Sequence, residues 1–519
     1  MSVRFDPVSP AAAPLGMRPF DLAAAAQSGR AYPPAAAGAL LASEGSAAAR
    51  SRDALLSGKA LAVTTGQQPG LFTGPLYTVH KALTAAALAQ TLADRWRRTV
   101  IPVFWVAGDD HDFAEVNHCA VIAADGTLRT IALRQRAPDA PMLPAYREPL
   151  GDDAARALAA LGSALPPSEF QAETLAWLGG AYTPDRSVAE AHAAALAELL
   201  APFGVVVCRG WDAQLKHEAG PVLLEALRSA RALDEALARE AARLEQAGEE
   251  VLVSVGEGMT LVMVEGSLGR DRLRIADGGF VMRRSGETLA LADLDAVVRT
   301  APGRLSANVL LRPVVEAHLL PTVAYVGGAA ELGYLRQVGP VFAHLAVPRP
   351  VPVPRLSGFV VEAKVEKALA RFALTARDLG RPEGELASAV VRGSLPAEAA
   401  ASLAGLRVAL AERYAALSQA AVRIEPTLER PVETARNQAL HGVDEVEKRL
   451  VGALKRSNEV VLQQLARARA SLFPEGQPQE RVLTLASYYA RYGRPFLDVL
   501  RDAAAAHARL LLEGPSTGV

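Results

Sequence analysis

The stretch GDDHDFAEVNH (108–118) concentrates titratable side chains directly after a strongly apolar run. Asp109, Asp110 and His111 are consecutive there, and crowded carboxylates repel one another unless cations, ligands or hydrogen bonds compensate. Such clusters are frequent at functional sites. A histidine between carboxylates predicts a general base with a raised pKa, because the neighbouring negative charges favour the imidazolium form.

Two other interpretations of this cluster stay open. Aspartate and histidine can bind a divalent metal ion, but the spacing matches no closed metal site, so this interpretation is the least favoured and we predict no metal ligand. Asp112 is suited to cap the next helix, with Glu115 three residues later as its partner in a capping box. The remaining polar residues are assigned to ligand binding: Asp109, Asp110, His111 and Asn117.

The stretch TTGQQPGLFTGPLYTVHK (64–81) is suited to bind an anion. It follows an apolar run, and its glycines together with Pro75 predict a loop that leads into a helix capped by Thr73 or Gly74. The free N–H groups of such a loop and the positive end of the helix dipole attract negative charge. The sequence therefore predicts an anion site rather than a turn that is only structural.

Side chains of the same stretch can add to this site. Tyr77 and His80 lie three residues apart, so they share one face of the predicted helix, and Lys81 places a cation beside them. Gln67 and Gln68 can donate and accept hydrogen bonds, which suits a ligand rich in hydroxyl or amide groups. The predicted binding residues of this stretch are Gly66, Gln67, Gln68, Gly70, Thr73, Gly74, Tyr77 and Lys81.

A third polar group lies in the stretch 305–337 and repeats the scheme of a strand, glycines and a polar helix. Gly327 and Gly328 end an apolar run, and Glu331 follows three residues later on the predicted helix. Each residue alone would be assigned a structural role, but together they resemble the first loop. The candidate binding residues here are Arg312, Tyr325, Gly327, Gly328 and Glu331.

Parallel strands would bring these three groups together. Residues 1–355 alternate short apolar runs with helical patterns, which is typical of an α/β sheet with right-handed crossovers. The carboxyl ends of parallel strands meet at one edge of the sheet, where open α/β sheets bind ligands. The predicted strands are residues 60–65, 99–108, 203–208 and 321–328.

We therefore predict an α/β fold with a Rossmann-like, parallel-sheet catalytic core over residues 1–355. Two inserted segments are expected, at about 125–165 and 215–300. The first is predicted to be mostly irregular or helical. The second includes a small antiparallel β unit between 251 and 298, with reversals at Gly256–Gly258 and Asp277–Gly279.

The rest of the chain predicts a helical arm. Apolar residues at steps of three and four predict two long antiparallel helices that form a coiled coil within residues 356–472. The predicted apolar seam includes Leu403, Leu406, Leu417 and Ile424 of the first helix and Val443, Val446 and Leu450 of the second. Residues 473–519 are expected to return to the core. An arm of this length needs a partner for its apolar seam, so we expect a homodimer formed through it.

Composition and charge exclude several classes of protein. The 519 residues carry a formal net charge of −1, so no global field favours nucleic acid or an anionic membrane. Cys119 and Cys208 are too few for a disulfide framework and suit the reducing cytoplasm. No run of ~18 apolar residues predicts a membrane span, and residues 1–20 do not resemble a secretory signal. We expect a cytoplasmic protein with small-molecule ligands.

Five stretches carry a family resemblance that runs over nearly the whole chain in order. They resemble the cysteine-adding enzymes, or cysteine ligases, of bacillithiol biosynthesis. Ala329 stands where that family often has proline after the double glycine. The stretches are GQQPGLFTGPLYTVHK (66–81), PVFWVAGDDHDFAEVNH (102–118), LSANVLLRP (305–313), LPTVAYVGGAAE (320–331) and LFPEGQPQERV (472–482).

The resemblance implies a Rossmann-like core with insertions, a helical coiled coil and a homodimer. It also implies the last step of bacillithiol synthesis, in which L-cysteine is joined to glucosaminyl-malate through an amide. A free carboxylate is a poor acyl donor, so ATP is the expected activator, through an adenylate or an acyl phosphate, with Mg²⁺ as its accompanying cation. Tyr77-x-x-His80 occupies the place of the first histidine motif of class I synthetase-type nucleotidyl transferases.

This resemblance suggests a role for each polar group. The loop from Gly66 to Gly74, with Tyr77 and Lys81, would hold the malyl carboxylates or a phosphate. His111 beside Asp110 would take the proton of the glucosamine ammonium. His80 would stabilise developing negative charge. Arg312 and Glu331 would orient the sugar or the amino acid.

Two other classes of function stay open from the residues alone. One is a nucleotidyl- or sugar-modifying transferase that does not use cysteine. The other is a non-catalytic scaffold, in which the coiled coil is the functional part and the core is degenerate. The dense polar clusters at separate strand ends favour an enzyme over a scaffold.

Overall fold

The computed structural model describes residues 3–8, 15, 17–22, 30–393, 395–457 and 459–513. The described chain forms two compact units. One consists of residues 3–359 and 479–513, and the other of residues 360–478. The end of the predicted C-terminal segment, 514–519, lies outside the described residues.

The elements are numbered in chain order. The strands are β1 (Val3–Pro7), β2 (Leu40–Leu41), β3 (Leu61–Gln67), β4 (Val100–Val106), β5 (His118–Ile122), β6 (Leu128–Ala132), β7 (Val206–Arg209), β8 (Met259–Gly266), β9 (Gly269–Ala276), β10 (Gly279–Met282), β11 (Thr288–Leu289), β12 (Leu305–Ala307), β13 (Thr322–Gly327), β14 (Val351–Pro354) and β15 (Gly358–Glu362). The α-helices are α1 (Ala47–Leu56), α2 (Tyr77–Trp96), α3 (Phe113–Val116), α4 (Asp153–Ala164), α5 (Gln171–Ala181), α6 (Val188–Leu200), α7 (Ala213–Arg228), α8 (Ala230–Gln246), α9 (Leu291–Thr300), α10 (Arg312–Leu319), α11 (Ala329–Gln337), α12 (Gly339–His344), α13 (Ala363–Phe372), α14 (Glu383–Gly393), α15 (Ala397–Ile424), α16 (Glu429–Ser457), α17 (Glu459–Leu472), α18 (Gln479–Val482), α19 (Ala486–Tyr492) and α20 (Arg494–Glu513).

The central sheet of the first unit has the strand order β14-β13-β3-β4-β7-β2. The pairs from β14 to β7 are parallel, and β2 pairs with β7 in the antiparallel direction at the edge. The four strands predicted from apolar runs are β3, β4, β7 and β13, so the predicted α/β class is confirmed. From β3 the chain proceeds to β4 and β7 on one side, whereas β13 and β14 lie on the other, which makes β3/β13 a topological switch point.

Both faces of this sheet are covered by a hydrophobic core. Successive side chains of a strand point to opposite sides, so each strand contributes to both cores. Leu61 and Val63 of β3 belong to the core that contains Leu88 of α2, which follows β3 as the crossover to β4. Ala62 belongs to the opposite core, together with Leu215 of α7. This explains why the strands read as continuous apolar runs rather than as alternating patterns.

A second sheet of the same unit is antiparallel, with the order β11-β10-β9-β8-β12. The strand predicted from Val251 begins only at Met259, and the first hairpin turns between Gly266 and Gly269, not at the predicted glycines 256–258. The second predicted reversal is present, since Gly278 lies between β9 and β10 with φ of 83°. The predicted first insertion contains β6 as well as helix α4, and β6 pairs with β5 in a hairpin.

The second unit contains the predicted long helices. The helices α15 and α16 pack together and are joined by a short turn around Pro426, which confirms the antiparallel coiled coil. Arg407 of α15 forms ion pairs with Asp444 and Glu447 of α16. The chain is helical on both sides of residue 458, in α16 and α17.

The apolar seam of these helices is only partly covered within the chain. Leu403 and Val443 are buried, but several predicted seam residues stay exposed. The exposed members are Leu406, Leu417, Ile424, Val446 and Leu450. Separately, none of the described helices combines the length and the apolar character that crossing a membrane would need.

Candidate active site

A cavity of ≈ 1040 Å³ lies at the carboxyl ends of β3, β4 and β13, on the first unit. This is the switch point of the parallel sheet, where open α/β sheets bind ligands. One side of the cavity is formed by the antiparallel sheet and α7. The predicted site residues that line it are Gly66, Gln67, Gln68, Tyr77, Lys81, Asp109, Asp110, His111, Arg312, Gly328 and Glu331.

Lys81 connects two of the three predicted polar groups. Its Nζ lies 2.5 Å from Oε2 of Glu331, and it donates to the carbonyl of Gly66 at 2.9 Å and to Oε1 of Gln67 at 2.7 Å. Burial lowers the pKa of Lys81, although the carboxylate of Glu331 opposes this change. The first turns of α2 and α11 are thereby joined by a buried ion pair.

Glu331 is held in its ionised form. Burial alone would raise its pKa, but the ammonium of Lys81, the amide of Gly328 and the hydroxyl of Tyr325 together lower it. The Gly328 amide donates to Oε2 at 2.8 Å, which closes the first turn of α11. The Tyr325 hydroxyl donates to Oε1 at 2.7 Å. Tyr325 is fully buried and supports the cavity wall from behind.

Arg312 lies at the start of α10 and is likewise paired. Its Nη1 donates to Oε2 of Glu316 at 2.6 Å, and its Nη2 donates to the hydroxyls of Tyr325 at 3.0 Å and Tyr334 at 3.4 Å. Gly66 passes close to this guanidinium, and a Cβ there would lie 2.9 Å from the carbonyl oxygen of Trp105. The close approach of β3 to β4 therefore requires glycine at this position.

The loop after β4 joins the loop after β3 through Gln68. Its Nε2 donates to Oδ2 of Asp110 at 2.5 Å and to Oε2 of Glu115 at 2.9 Å. Burial would raise the pKa of Asp110, but the amide of Asp112 and the amide side chain of Gln68 lower it, so the carboxylate stays ionised. Asp112 caps α3 by accepting from the amide of Glu115, as predicted.

His111 is oriented by Arg270, which the sequence did not single out. Nη1 of Arg270 lies 3.2 Å from Nδ1 of His111, whereas Oδ1 of Asp110 lies 3.8 Å from the same atom. A guanidinium can only donate, so Nδ1 is the acceptor and the neutral ring carries its proton on Nε2. The imidazole thus presents a hydrogen-bond donor to the cavity.

The raised pKa expected for His111 is wrong. Burial is the largest cause and lowers its pKa, and the positive charge of Arg270 lowers it further, while Asp110 opposes both. The expectation failed because the carboxylates precede His111 in sequence, whereas Arg270 approaches from the antiparallel sheet. The Nε2–H form also disagrees with the general-base role expected for His111.

Asp109 pairs with a lysine from another element. Nζ of Lys216 on α7 lies 2.6 Å from Oδ1 of Asp109 and donates to the carbonyls of Gly303 at 2.9 Å and Leu305 at 3.0 Å. Burial lowers the pKa of Lys216, and Asp109 opposes this change. Asp109 is therefore charge-compensated by the protein itself.

The predicted anion site at the start of α2 is not present. The helix begins at Tyr77 without a side-chain cap, and neither Thr73 nor Gly74 caps it. The amide of Leu76 donates to the carbonyl of Leu483, and Pro75 forms a bridge with the next residue of that segment. The C-terminal segment therefore covers the amides that were expected to bind a ligand.

The predicted loop residues Gly70, Thr73 and Gly74 lie outside the cavity lining. The hydroxyl of Tyr182 accepts from the amide of Thr73 at 2.8 Å and donates to the carbonyl of Gly70 at 2.7 Å. The amide of Gly70 also donates to Nδ1 of the buried His192 at 3.1 Å. The amide of Gly74 donates to the carbonyl of Leu71, so the amides of all three residues are used by the protein.

His80 is also corrected, because it is fully buried away from the cavity lining. Its Nδ1 lies 3.1 Å from Oε2 of Glu480 on α18, which also accepts from Arg355 at 2.7 Å through Oε1. Burial lowers the pKa of His80, and Glu480 opposes this change. The contact is structural and does not let His80 stabilise charge on a substrate.

Three further predicted binding residues lie behind the lining rather than in it: Asn117, Tyr325 and Gly327. Nδ2 of Asn117 donates to the carbonyl of Arg134 at 3.3 Å, and Gly327 accepts from the amide of Arg355 at 2.9 Å. These residues hold the loops in place. They do not line the cavity.

Several cavity residues were not predicted from the sequence. Their positions depend on elements far apart in the chain, so no local pattern identifies them. Ser306 and Asn308 lie within a stretch that carried the family resemblance, which was the available signal. The unpredicted polar members of the lining include Lys216, Arg270, Arg272, Arg283, Arg284, Ser306, Asn308, Tyr334, Arg355 and Arg481.

The cavity has the charge balance of an anion-binding site, since its lining contains more basic than acidic side chains. Across the described parts of the chain, no three His, Cys, Asp or Glu side chains are gathered so that they could hold a metal ion. Cys119 and Cys208 are buried, and burial raises the pKa of both thiols. Neither cysteine is therefore placed to act as a nucleophile.

Comparison with known proteins gives a family match over both units. Residues 40–356 match the family model described as "Bacillithiol biosynthesis BshC, N-terminal Rossmann-like domain", and residues 358–509 match "Bacillithiol biosynthesis BshC, C-terminal coiled-coil domain". A protein of Salinibacter ruber named "Putative cysteine ligase BshC" is 32% identical over 444 residues, which is 85% of this chain and 80% of the relative. A Koribacter versatilis protein of the same name is 33% identical over 452 residues, or 86% and 82% of the two chains.

Proposed function

The chain belongs to the BshC family of bacillithiol biosynthesis, and from this premise we propose that it is a ligase that joins L-cysteine to glucosaminyl-malate through an amide bond. The observation that carries the proposal is the cavity at the switch point of the sheet. It gathers carboxylates and cations from three strand ends and from the antiparallel sheet. An amide ligase needs both kinds of charge, because its substrates carry ammonium and carboxylate groups.

The size of the cavity supports the same proposal. Single drug-sized ligands occupy pockets of roughly 300–1,000 Å³, and this cavity of ≈ 1040 Å³ lies at the upper end of that range. Room for two ligands side by side is what a joining reaction requires, since holding both reactants converts a bimolecular step into an effectively unimolecular one.

The charged and polar residues of the cavity match the ammonium, acyl and carboxylate groups of the two substrates. Asp110 is ionised and lines the cavity, so it can bind the ammonium of either substrate. The Nε2–H group of His111 is suited to donate to the oxygen of the acyl group, where negative charge develops as the amide forms. The malyl carboxylates match the excess of basic side chains.

Formation of the amide from a free carboxylate also requires activation. In the proposal ATP, with Mg²⁺, supplies it by converting the cysteine carboxylate into a better acyl donor. The lining residues fit such a ligand, because guanidinium groups bind phosphate oxygens through paired N–H donors. The chain's own contribution is to hold the anionic groups, to orient the two substrates and to donate a hydrogen bond through His111.

The exposed apolar residues of α15 and α16 support a homodimer as the assembly. Pairing of the two helices leaves Leu406, Leu417 and Val446 about half exposed, which is costly for a seam that repeats over many turns. A second copy presents the same surface, so an isologous interface covers both sets at once.

The proposal is tested by incubating the purified protein with L-cysteine, glucosaminyl-malate, ATP and Mg²⁺ and measuring the products by mass spectrometry. We expect bacillithiol to form together with phosphate or pyrophosphate. Formation of bacillithiol without nucleotide consumption would remove ATP from the proposal. No condensation product, with cellular thiols unchanged in a deletion strain, would favour a transferase that does not use cysteine or a scaffold.

A further inference from the structure

The antiparallel sheet presents a row of arginines to the cavity. Arg270 and Arg272 are two residues apart on β9, so they lie on the same face of the strand, roughly 7 Å apart. Arg283 follows β10 directly, and its amide donates to the carbonyl of Arg272 at 2.9 Å. All three line the cavity, and we call them the arginine face.

Arg272 and Arg283 oppose each other directly across the two strands. The register of the sheet pairs Met282 with Leu273, so the next pair outward is Arg283 with Arg272. Like charges directly opposite on neighbouring strands are destabilising. Among the residues that the structure describes, neither guanidinium has a carboxylate within ion-pair distance.

Most other cations of the cavity are compensated by a carboxylate. Within the described chain Arg481 is the exception, since it lines the cavity without an ion pair. Lys81, Lys216 and Arg312 each form an ion pair with a carboxylate. Arg284, next to Arg283, is paired with Asp271. Of the described lining cations, those without an ion pair are therefore Arg481 and the three of the arginine face.

Arg270 links this face to the candidate reacting centre. It is 8% exposed, and its three guanidinium nitrogens are directed by neutral acceptors: Oγ of Ser306 at 2.8 Å, the carbonyl of Ala307 at 2.8 Å and Nδ1 of His111 at 3.2 Å. A ligand bound to Arg272 and Arg283 would thus lie beside the group that contacts His111.

From this geometry we propose that the arginine face binds a polyphosphate chain, namely the phosphates of the nucleoside triphosphate that the ligation consumes. This inference rests on the proposed function. A row of fork-shaped donors with no counter-ion matches an extended polyanion, because each guanidinium can bind two phosphate oxygens and the anion removes the cross-strand repulsion. His80, which was expected to stabilise developing negative charge, is buried, so that role falls to other residues.

Binding is measured by isothermal titration calorimetry with tripolyphosphate, ATP and malate in phosphate-free buffer, without cysteine or glucosaminyl-malate. For Arg272→Ala and Arg283→Ala we expect the affinity for tripolyphosphate and ATP to fall by ~10-fold or more each, as lost charge-assisted hydrogen bonds imply. Arg272→Lys should keep part of the affinity. Arg274→Ala is the matched control, because Arg274 is exposed on the same strand and does not line the cavity; its affinity should stay within about twofold of wild type.

Thermal unfolding without ligand separates binding from folding. The double variant Arg272→Ala/Arg283→Ala should melt no lower than wild type, because it removes a repulsive pair.

The proposal is overturned if wild type binds neither tripolyphosphate nor ATP, if Arg274→Ala weakens binding as much as Arg272→Ala does, or if the variants lose malate affinity alone. Bacillithiol synthesis is assayed separately. Normal synthesis with unchanged polyphosphate binding refutes only this inference, and intact polyphosphate binding without synthesis refutes only the proposed function.

Discussion

At the scale of single residues, the contact between Arg270 and His111 decides what His111 can do. Asp110 and His111 are neighbours in sequence, yet the nearer partner of Nδ1 is a guanidinium from the antiparallel sheet. A ring whose Nδ1 accepts a hydrogen bond has only Nε2–H left to offer, so it acts as a donor rather than as a base.

The first prediction therefore compares two substitutions of His111. His111→Ala should lower kcat by ~10²-fold or more, as loss of a donor to a developing oxyanion does elsewhere. His111→Gln keeps an N–H group near the position of Nε2 and should retain at least ~10-fold more activity than alanine. The measurement is kcat for amide formation, with long-range ¹H–¹⁵N NMR of wild type at neutral pH to locate the ring proton.

A general base would behave differently in both experiments. Glutamine cannot accept the proton, so the two variants would lose equal activity. A proton found on Nδ1 would contradict the assigned contact with Arg270 regardless of the kinetics.

His192 gives a prediction about pH and stability. It is fully buried behind the loop after β3, and burial lowers its pKa to about 4. In the unfolded chain it binds a proton below about pH 6.5. The unfolded state therefore takes up this proton first, so the contribution of His192 to stability is complete above pH 6.5, falls as the pH drops and levels off below about 4.

The free energy of unfolding should reveal this effect as a difference between wild type and His192→Asn. We expect wild type to lose about 3 kcal/mol more than the variant between pH 7 and pH 4. Denaturant unfolding at several pH values measures it. Parallel pH curves for the two proteins would mean that His192 titrates normally in the folded state.

At the scale of elements, two ion pairs link the helices and the loop that surround the cavity. The Lys81–Glu331 pair connects α2 to α11, and the Asp109–Lys216 pair connects the loop after β4 to α7. From the sequence, Lys81, Glu331 and Asp109 were predicted to bind a ligand, and Lys216 was not identified. In the structure they hold the walls of the site together.

Removing one partner of the first pair should therefore be costly. Glu331→Gln leaves the ammonium of Lys81 buried without its counter-ion, and we expect a loss of about 3 kcal/mol in the free energy of unfolding. The double variant Lys81→Met/Glu331→Gln should recover much of this loss, because no uncompensated charge remains. Urea denaturation of the four proteins of this double-mutant cycle measures both effects.

A matched control for this cycle is the exposed pair of Arg336 and Glu249. Glu249→Gln should change stability by less than about 1 kcal/mol, since solvent screens exposed ion pairs. If Glu331→Gln proves equally mild, the Lys81 pair is not the structural link described here.

At the scale of the whole molecule, the unsatisfied part of the helical pair predicts the oligomeric state. Leu417 and Val446 are 51% and 52% exposed in the single chain. Placing a charge at either position should prevent a second copy from covering the seam. We expect Leu417→Glu and Val446→Glu to be monomers in light scattering after size-exclusion chromatography, and wild type to have the mass of two chains.

Leu268→Glu serves as the control, because Leu268 is 44% exposed but lies in the turn between β8 and β9 of the other unit. It should leave the mass unchanged. A wild-type protein that runs as a monomer, or arm variants that remain dimeric, would remove the coiled coil as the dimer interface.

The local spacing of apolar residues was enough to predict the strands β3, β4, β7 and β13, the helix α2 and the two long helices α15 and α16. β-branched and apolar runs and three- and four-residue steps reflect burial that each element carries by itself. The same reasoning placed Gln68, Asp110 and Glu331 at strand ends, and these do line the cavity. It failed where a distant segment competes for the same group, as Leu483 does at the start of α2 and Glu480 does at His80.

The sequence by itself determined the class of fold, the existence of a helical pair and the edge of the sheet at which a site would lie, because these depend on the order of short-range patterns. Only the tertiary structure decided which polar groups face a ligand and which are used by the protein. Hydrogen bonds and ion pairs form between groups that folding brings together, such as Arg270 with His111 and Lys216 with Asp109, which are far apart in the chain. Protonation and exposure follow from those partners, so they cannot be read from the residues that stand next to each other in sequence.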